Sequence, residues 1–267
     1  MGADIKQLRT RIKSVDSTLH LTKAMGLVAS SKIRKATESM NKGKEYADAL
    51  EEIISLLTAY DECKKTPYMA ERQSGRICLI VIAGDRGLAG GYNANVFRLL
   101  REYPDATVIP IGKRACERFG KPIVNAENYP YANAMTLANE ICRDFADEKY
   151  DQFGIVCTKY HSLMSQEATV KWLLPLRGGE KGSGANAVFE PDELTVLNAV
   201  IPEYIAGMIM SAVKESFACE VAARRVAMDS AGKNAQEMIN GLNLEYNRAR
   251  QSAITQEITE IVAGSGI

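Results

Sequence analysis

The sequence predicts an α/β protein with long helices, in which the N- and C-terminal segments pair as an antiparallel two-helix coiled coil beside a small open α/β domain. Three observations predict this fold: the placement of the prolines, a 3.5-residue apolar repeat near the N-terminus, and alternating strand and helix patterns in the middle. All eight prolines lie between Pro67 and Pro202. Because proline destabilises a helix interior by roughly 3 kcal/mol, the proline-free termini can each form a long helix.

The N-terminal segment carries the apolar repeat. Alternating steps of three and four residues lead from Ile5 to Leu57 through sixteen positions, of which thirteen are Ala, Val, Ile, Leu or Met. A 3.5-residue repeat of this length is typical of a coiled coil. Two shorter helices, interrupted at Gly26 or Gly43, are the alternative interpretation.

The C-terminal segment carries a second stripe, made mostly of small residues: Ala227, Ala231, Ala235, Met238, Leu242, Tyr246, Ala249 and Ala253. Neither stripe can be buried by a helix on its own, which favours antiparallel pairing of the two ends. The stripe then drifts to Ile254, Ile258, Ile261 and Val262. This last stretch is either one more packed turn or a helix end that is buried in another protein.

Strand and helix patterns alternate between the two long helices. Residues 76–83 form a continuous apolar run typical of a buried parallel strand. Further strands are predicted at 106–111, 122–124, 152–158 and 169–175, and helices at 93–101, 114–119 and 133–148. This alternation predicts an open, Rossmann-like sheet with crossover helices. The predicted domains are residues 1–62 and 203–267 for the coiled coil, 75–180 for the α/β domain, and 181–202 for a connecting segment.

Composition excludes several classes of protein. The 33 basic residues balance the 33 acidic ones, which disfavours a nucleic-acid partner. No uncharged apolar run approaches the roughly 18–20 residues of a membrane-spanning helix, and charges near the N-terminus argue against a signal peptide. The six cysteines are too widely spaced for a zinc motif, and two histidines are too few for a His-rich site. We therefore expect no metal and no cofactor.

A glycine-rich loop, Gly84–Gly91, follows the first predicted strand. Backbone N–H groups in such a loop can bind phosphate, but its glycines fit neither GxGxxG nor a P-loop with its lysine. The loop is interpreted as structural or partner-docking, with a nucleotide site as the alternative. No nucleophile elbow or paired-carboxylate motif accompanies it.

Charge is uneven along the predicted N-terminal helix. Residues 1–36 hold eight basic and two acidic side chains, a net of +6, whereas residues 37–62 hold two basic and seven acidic ones, a net of −5. A solvated helix face explains any single charge. The excess over one half indicates an acidic partner surface.

Three sequence blocks resemble the gamma subunit of the F-type ATP synthase. The first contains Leu21-Thr-Lys-Ala-Met25 within residues 11–36, and the second is Gly84-Asp-Arg-Gly-Leu-Ala-Gly-Gly-Tyr-Asn93. The third extends from Ala227 to Val262. They cover both termini and the glycine loop in family order, whereas residues 100–200 match only in outline.

The resemblance implies a non-catalytic rotor subunit. In this family the coiled coil enters a hexamer of alpha and beta subunits, and the α/β domain meets the epsilon subunit and the membrane ring of c subunits. Ion flow turns the ring and the shaft, and the catalytic beta subunits pass through their conformations in succession. The resemblance further implies a peripheral membrane protein on the cytoplasmic face of a bacterial inner membrane, or the matrix-side equivalent, with no span of its own.

Site residues carry over from the family by position. Those implied to meet the beta subunits are Lys23, Met25, Asp85, Arg86, Gly87, Arg224, Gln251, Thr255 and Glu257. A weaker match implies c-ring contact by Phe189, Glu190, Pro191 and Asp192. Ala89, Gly26 and Arg225 depart from the usual family residues.

Two other functions remain open from the residues alone. One is an autonomous nucleotide-binding α/β enzyme with helical extensions, and the other is a generic coiled-coil tether. Saturable binding of ATP and magnesium to the isolated chain would favour the enzyme.

Overall fold

The computed structural model describes residues 2–72, 75–178 and 188–264. The helices are α1 (Gly2–Thr58), α2 (Tyr92–Leu99), α3 (Lys113–Phe119), α4 (Tyr131–Ala146) and α5 (Glu193–Gly264). The strands are β1 (Ile77–Ile82), β2 (Thr107–Ile111), β3 (Gln152–Tyr160) and β4 (Gln166–Leu174). The glycine-rich residues 179–184, and with them the first part of the predicted connecting segment up to residue 187, lie outside the described residues.

The chain divides into two compact units. One comprises the described residues within Met1–Ser30 and Arg224–Ile267, and the other is Ser31–Ala223. Both long helices contribute to both units.

The unit formed by the chain ends is an antiparallel pair of helices. Gly26 of α1 lies beside Met228 of α5, Leu19 and Thr22 lie beside Gly232, and Leu19 also packs with Ala235. Residue numbers therefore decrease along α1 as they increase along α5, which is the pattern of an antiparallel pair. Continuous helix through Gly26 and Gly43 excludes the alternative of two shorter N-terminal helices.

The buried stripe of α5 differs from the predicted one at two positions. Met228 and Ile239 are buried, whereas Met238 is 47% exposed and Ala227 only half-buried. A straight α-helix has 3.6 residues per turn, so a face followed over several turns shifts by one residue from a fixed count. Residues 227 and 228 are both apolar, and so are residues 238 and 239. The sequence alone therefore does not show which residue of each pair is buried.

The second unit contains a four-stranded sheet of order β2-β1-β3-β4. β1 pairs in parallel with β2 and β3, whereas β4 pairs antiparallel with β3. The predicted open α/β sheet with a parallel core is therefore confirmed. The strand predicted at 122–124 is wrong: Pro122 has no N–H, and the backbone N–H of Val124 bonds to Cys116 Sγ instead of a strand.

Residues 31–58 of α1 and 193–223 of α5 pack on one face of this sheet. Their side chains form one large apolar core with β1, β3 and α4, including Leu57, Ile80, Ile141, Phe153 and Ile205. The opposite face holds a smaller cluster around Leu79, Val96 and Val156. The sheet thus buries its apolar strands on both faces, as parallel strands require.

Helix α5 begins earlier than the sequence predicts. It starts at Glu193 and contains Pro202, whereas the prediction placed residues up to 202 in a connecting segment. Leu197, Ile201 and Ile205 surround the proline in sequence and are 0% exposed. Burial of these side chains outweighs the unfavourable proline position.

Part of α5 is apolar enough to cross a membrane by length and composition. An 18-residue window of the helix has a mean hydropathy of 1.6, and 56% of it is buried within the protein. A core helix meets the same criterion, and this apolar stretch packs into the large core against the sheet.

Candidate partner-binding surfaces

Asp85 organises the loop that follows β1. Its Oδ1 accepts hydrogen bonds from the backbone N–H groups of Lys113 and Ala126, both at 2.9 Å, and its Oδ2 accepts one from Glu127 at 2.8 Å. Lys113 is the first residue of α3, where free N–H groups favour a carboxylate. One side chain therefore holds the start of a helix and a distant loop together.

Glu220 of α5 contacts the same loop from the other side. Its carboxylate oxygens accept hydrogen bonds from the backbone N–H groups of Asp85 at 3.4 Å and Arg86 at 3.3 Å. Glu220 is 2% exposed, and a Cβ added at Gly84 would lie 2.7 Å from its Cδ. Gly84 is therefore required for close approach of the loop to this carboxylate.

Glu127 links the loop to helix α1. Its Oε1 lies 2.5 Å from Lys32 Nζ, and its Oε2 accepts a hydrogen bond from Arg86 Nη2 at 3.2 Å. The predicted contact residue Arg86 is exposed, whereas Gly87 is half-buried, and a Cβ added there would lie 3.4 Å from Arg114 Nη2. The structure brings Asp85, Arg86 and Gly87 together as one loop surface.

Residues beyond the loop's tip are packed into the protein. Ala89 is buried with Tyr92 and Cys219, and Tyr92 Oη donates a hydrogen bond to the Ser216 backbone carbonyl at 3.0 Å. Burial raises the pKa of the Tyr92 hydroxyl well above its ordinary value. A small residue at position 89 fits this contact with α5.

Lys23 and Met25 lie in the unit formed by the chain ends. Lys23 is exposed and Met25 is half-buried. Lys23 lines an open groove of about 530 Å³, whose other lining residues include Thr22, Gly26, Arg225 and Gly232. The small residues at positions 26 and 232 line the groove, and its charged lining residues are Lys23, Lys233, Arg225 and Asp229, of which the last two lie 3.7 Å apart.

The last turns of α5 are exposed on every side. Gln251, Thr255 and Glu257 are exposed, and the Thr255 hydroxyl donates to the Gln251 carbonyl at 2.9 Å. Four apolar side chains accompany them, with exposed fractions of 46% to 70%: Ile254, Ile258, Ile261 and Val262. Arg224, at the start of this unit's α5 segment, is half-buried. Of the two interpretations of this stretch, the structure excludes the turn packed within the chain, since the apolar face is exposed among the described residues.

The segment predicted to face the c ring has structural contacts of its own. Phe189 packs edge-on against Tyr60, with ring centroids 5.9 Å apart. Asp192 caps α5: its Oδ1 accepts from the Thr195 backbone N–H and its Oδ2 from the Thr195 hydroxyl, both at 2.8 Å. These hydrogen bonds lower the pKa of Asp192. Glu190 and Pro191 are exposed, and c-ring contact by this segment stays a prediction.

Sequence reasoning missed Glu220 and Glu127, two of the carboxylates that position the glycine loop. Glu220 is the single charge within Phe217–Ala223, an otherwise apolar helical stretch. That isolation was a usable signal, because a charge on a buried face needs a specific partner. Glu127 gave no such signal, since it lies in a polar loop.

The arrangement favours partner contact over nucleotide chemistry. The N–H groups of Asp85 and Arg86 already face a carboxylate, which would repel a phosphate, and Asp85 occupies the start of α3. Among the described residues, no group of three or more His, Cys, Asp or Glu side chains could hold a metal ion.

The fold is shared with chains of solved ATP synthase assemblies. Chains from the rotor and from the F1/c-ring assembly of the Euglena gracilis mitochondrial ATP synthase superpose with TM-scores of 0.65 and 0.69, at 19% and 20% identity. The first match covers 95% of this chain and 100% of the other, and the second covers 98% and 94%.

Sequence comparison defines the family. Residues 4–266 match the family described as ATP synthase. The ATP synthase gamma chain of Ruminococcus albus is 40% identical and that of Geotalea daltonii 36% identical, each over 98% of both chains. This chain belongs to the ATP synthase gamma-chain family.

Proposed function

We propose that this chain is the central rotary shaft of an F-type ATP synthase. It couples ion flow through the membrane c ring to the conformational cycle of the catalytic beta subunits, in the direction of ATP synthesis or hydrolysis. The observation that carries this proposal is the match to gamma chains over 98% of both lengths, on a chain whose ends form an antiparallel helix pair.

The helix pair presents unlike surfaces on its two members. Within the unit formed by the chain ends, α1 exposes Leu21, Leu27 and Val28, whereas α5 exposes Lys233 and Gln236 together with the apolar Met238 and Leu244. A rotor of unequal faces makes different contacts with each surrounding subunit at each angle. Such differential contact shifts the conformational populations of those subunits.

The chain itself performs no catalysis in this proposal. Support comes from the glycine loop, where the backbone N–H groups of Asp85 and Arg86 bond to the Glu220 carboxylate, while the Asp85 carboxylate accepts from the Lys113 N–H at the start of α3. Nucleotides bind to the alpha and beta subunits instead.

In this assignment the helices α1 and α5 form the shaft, so that the predicted bounds 1–62 and 203–267 are extended to Glu193 at the start of α5, and residues 75–180 form the foot. The exposed end of α5 enters the alpha–beta hexamer, where Gln251, Thr255 and Glu257 meet the beta subunits together with Lys23, Met25, Arg224 and the loop at 85–87. The foot meets the epsilon subunit and the c ring, with residues 189–192 at the ring. The complex holds the chain on the cytoplasmic face of a bacterial inner membrane, or the matrix-side equivalent.

Assembly tests the proposal directly. The full-length chain is co-expressed with its alpha, beta and epsilon subunits and purified through a tag on beta. One copy per three alpha and three beta subunits is expected. A complex that forms without this chain, or saturable ATP–magnesium binding to the chain alone, would support the autonomous enzyme instead.

The exposed end of α5 gives a sharper test in reconstituted vesicles. Because Ile258 and Ile261 are exposed, their joint replacement by serine leaves the thermal unfolding of the isolated chain within about 0.5 kcal/mol of the parent. ATP synthesis by the assembled complex falls several-fold, as does synthesis by the Gln251→Ala and Glu257→Ala variants. The exposed Glu245, changed to alanine, is the matched control and retains synthesis.

Full synthesis by all of these variants would favour a generic tether, because a tether does not require specific contacts at the helix end. Loss in the Glu245 control as well would indicate general damage to the helix.

A further inference from the structure

Three carboxylates of the unit Ser31–Ala223 connect both long helices to the carboxyl edge of the sheet. We call Asp85, Glu127 and Glu220, with the groups they bind, the carboxylate circuit. From α5 the circuit passes through Glu220 to the loop after β1, and through Asp85 to residues 126 and 127. It then passes through Glu127 to Lys32 on α1.

The Glu220 arm is buried. A carboxylate that is 2% exposed loses most of its hydration, and this cost is offset only by well-placed donors. The two loop N–H groups contribute to that compensation at 3.3 and 3.4 Å. A shift of α5 along the loop would separate them, so the arm resists sliding of the helix against the sheet.

The Glu127 side chain is more exposed than Glu220, and its two carboxylate oxygens bind two different side chains. One carboxylate oxygen faces Lys32 and the other faces Arg86, so the same group contacts α1 and the loop. Its own backbone N–H is held by Asp85 at 2.8 Å. The position of Lys32 relative to β1 is therefore set through Glu127.

Apolar packing alone does not fix this register. The core between the helices and the sheet opposes their separation, but hydrophobic contact is non-directional. Hydrogen bonds to oriented backbone groups are directional and weaken steeply with displacement. The carboxylate circuit therefore adds directional contacts at the carboxyl edge of the sheet, alongside the hydrogen bonds that Glu215 and Ser216 of α5 accept from the backbone of β3.

We propose that Glu220 and Glu127 are positioning residues for energy coupling: they lock α5 and α1 to the α/β sheet so that torque applied to the sheet turns the helices without slip. This inference rests on the proposed rotor function. It assigns these residues no contact with nucleotide or ion.

The experiment compares ATP hydrolysis with proton pumping in inverted vesicles that contain the complete complex. Glu220→Gln keeps the side-chain shape but replaces one acceptor by a donor that faces a backbone N–H. We expect the ratio of pumping to hydrolysis to fall about fivefold, the factor for roughly one net hydrogen bond, while hydrolysis stays near the parent rate. The control is Glu237→Gln, which removes an exposed carboxylate elsewhere on α5.

A second variant covers the case in which Glu220→Gln fails to assemble. Lys32→Gln alters a partly exposed side chain, so it folds, and it breaks the circuit at α1. The same fall in the pumping ratio is expected, and the double variant Lys32→Gln/Glu220→Gln falls by less than the product of the two single effects, because both interrupt one circuit.

Two results separate failure of this inference from failure of the proposed function. If the parent complex pumps and Lys32→Gln retains the full ratio, the positioning role is wrong although the rotor function stands. If pumping and hydrolysis fall in parallel, Glu220 is merely structural and the inference is likewise overturned. A parent complex that hydrolyses ATP without pumping would instead contradict the rotor function.

Discussion

Gly207 of α5 lies directly against Leu50 of α1: a Cβ added at Gly207 would stand 2.5 Å from Leu50 Cδ1 and 3.1 Å from Tyr46 Cε1. Leu50 is itself buried in the large core, so it has little room to move away. Glycine at this position allows the two helices to approach closely within the unit Ser31–Ala223. Its contribution is steric, because the helical backbone there needs no unusual φ.

Gly207→Ala is expected to destabilise the protein by about 1–2 kcal/mol, since overpacking outweighs the roughly 1 kcal/mol that alanine gains in helix propensity. The matched control is Gly241→Ala on the same helix, where nothing lies within 4 Å of the added Cβ. That change is expected to stabilise. Urea unfolding of both variants measures the difference, and a stabilised Gly207→Ala would show that α1 and α5 adjust freely.

Asp85→Ala is expected to destabilise the unit by about 2 kcal/mol, because three backbone N–H groups lose their acceptor. Asp85→Asn retains one oxygen acceptor and has a smaller effect. Asp105→Ala, an exposed aspartate before β2, serves as the control with a change within about 0.5 kcal/mol. Equal midpoints of chemical unfolding for Asp85→Ala and the parent would exclude this organising role.

The cap of α5 makes stability depend on acid pH. Hydrogen bonds from Thr195 lower the pKa of Asp192 from its ordinary value of 3.8, so the folded state favours the carboxylate. The resulting stabilisation is fully present above pH 3.8 and is lost as the pH falls through the lower, folded-state pKa. The midpoint temperature of thermal unfolding of Asp192→Asn is expected to lie below that of the parent at pH 7. The two midpoints are expected to converge in strong acid. A gap that persists there would assign the effect to shape rather than charge.

All six cysteines are buried, and burial raises the pKa of the Cys78 and Cys157 thiols to about 12 and that of Cys142 to about 11. At pH 8 a thiol of pKa 12 holds about a thousandfold less thiolate than one of ordinary pKa 9. Reaction of the native protein with Ellman's reagent is therefore expected to be slow, with six thiols appearing in urea.

The same shifts act on stability at alkaline pH. The unfolded chain ionises these thiols near pH 9 and the folded chain only near 11 to 12, so stability falls as the pH rises through that interval. Denaturant midpoints at pH 8 and 10.5 measure the loss. Rapid labelling of one thiol in the native protein would contradict the expectation that all six are protected, and would show that the structure opens locally around that cysteine.

The long helices were predictable because their signal is repeated many times. Where one position of the α1 stripe holds a glycine or a threonine, the apolar residues of the other turns still define the buried face of the helix. The strands β1 and β3 were predictable for a related reason: continuous β-branched runs are typical of strands buried on both faces.

Elements with weaker local signals were misread. Residues 122–124 resemble a strand in composition. They can pair only with a neighbouring strand whose backbone N–H and C=O groups are available, and the local sequence does not show this. Pro202 argues locally against a helix, and only the burial of Leu197, Ile201 and Ile205 against the sheet reverses that preference. Met238 and Ile239 were indistinguishable because the rotation of α5 is set by its partner.

The sequence by itself determined the two terminal helices, the parallel strands β1 and β3, and a glycine loop after β1 that contains Asp85 and Arg86, since periodicity and residue type are local properties. Only the tertiary structure decided that Glu220 and Glu127 reach that loop from 135 and 42 positions away. A carboxylate within an apolar stretch indicates that hydrogen-bond donors must be near it in the folded protein. Which backbone N–H groups supply those donors depends on how distant segments pack together.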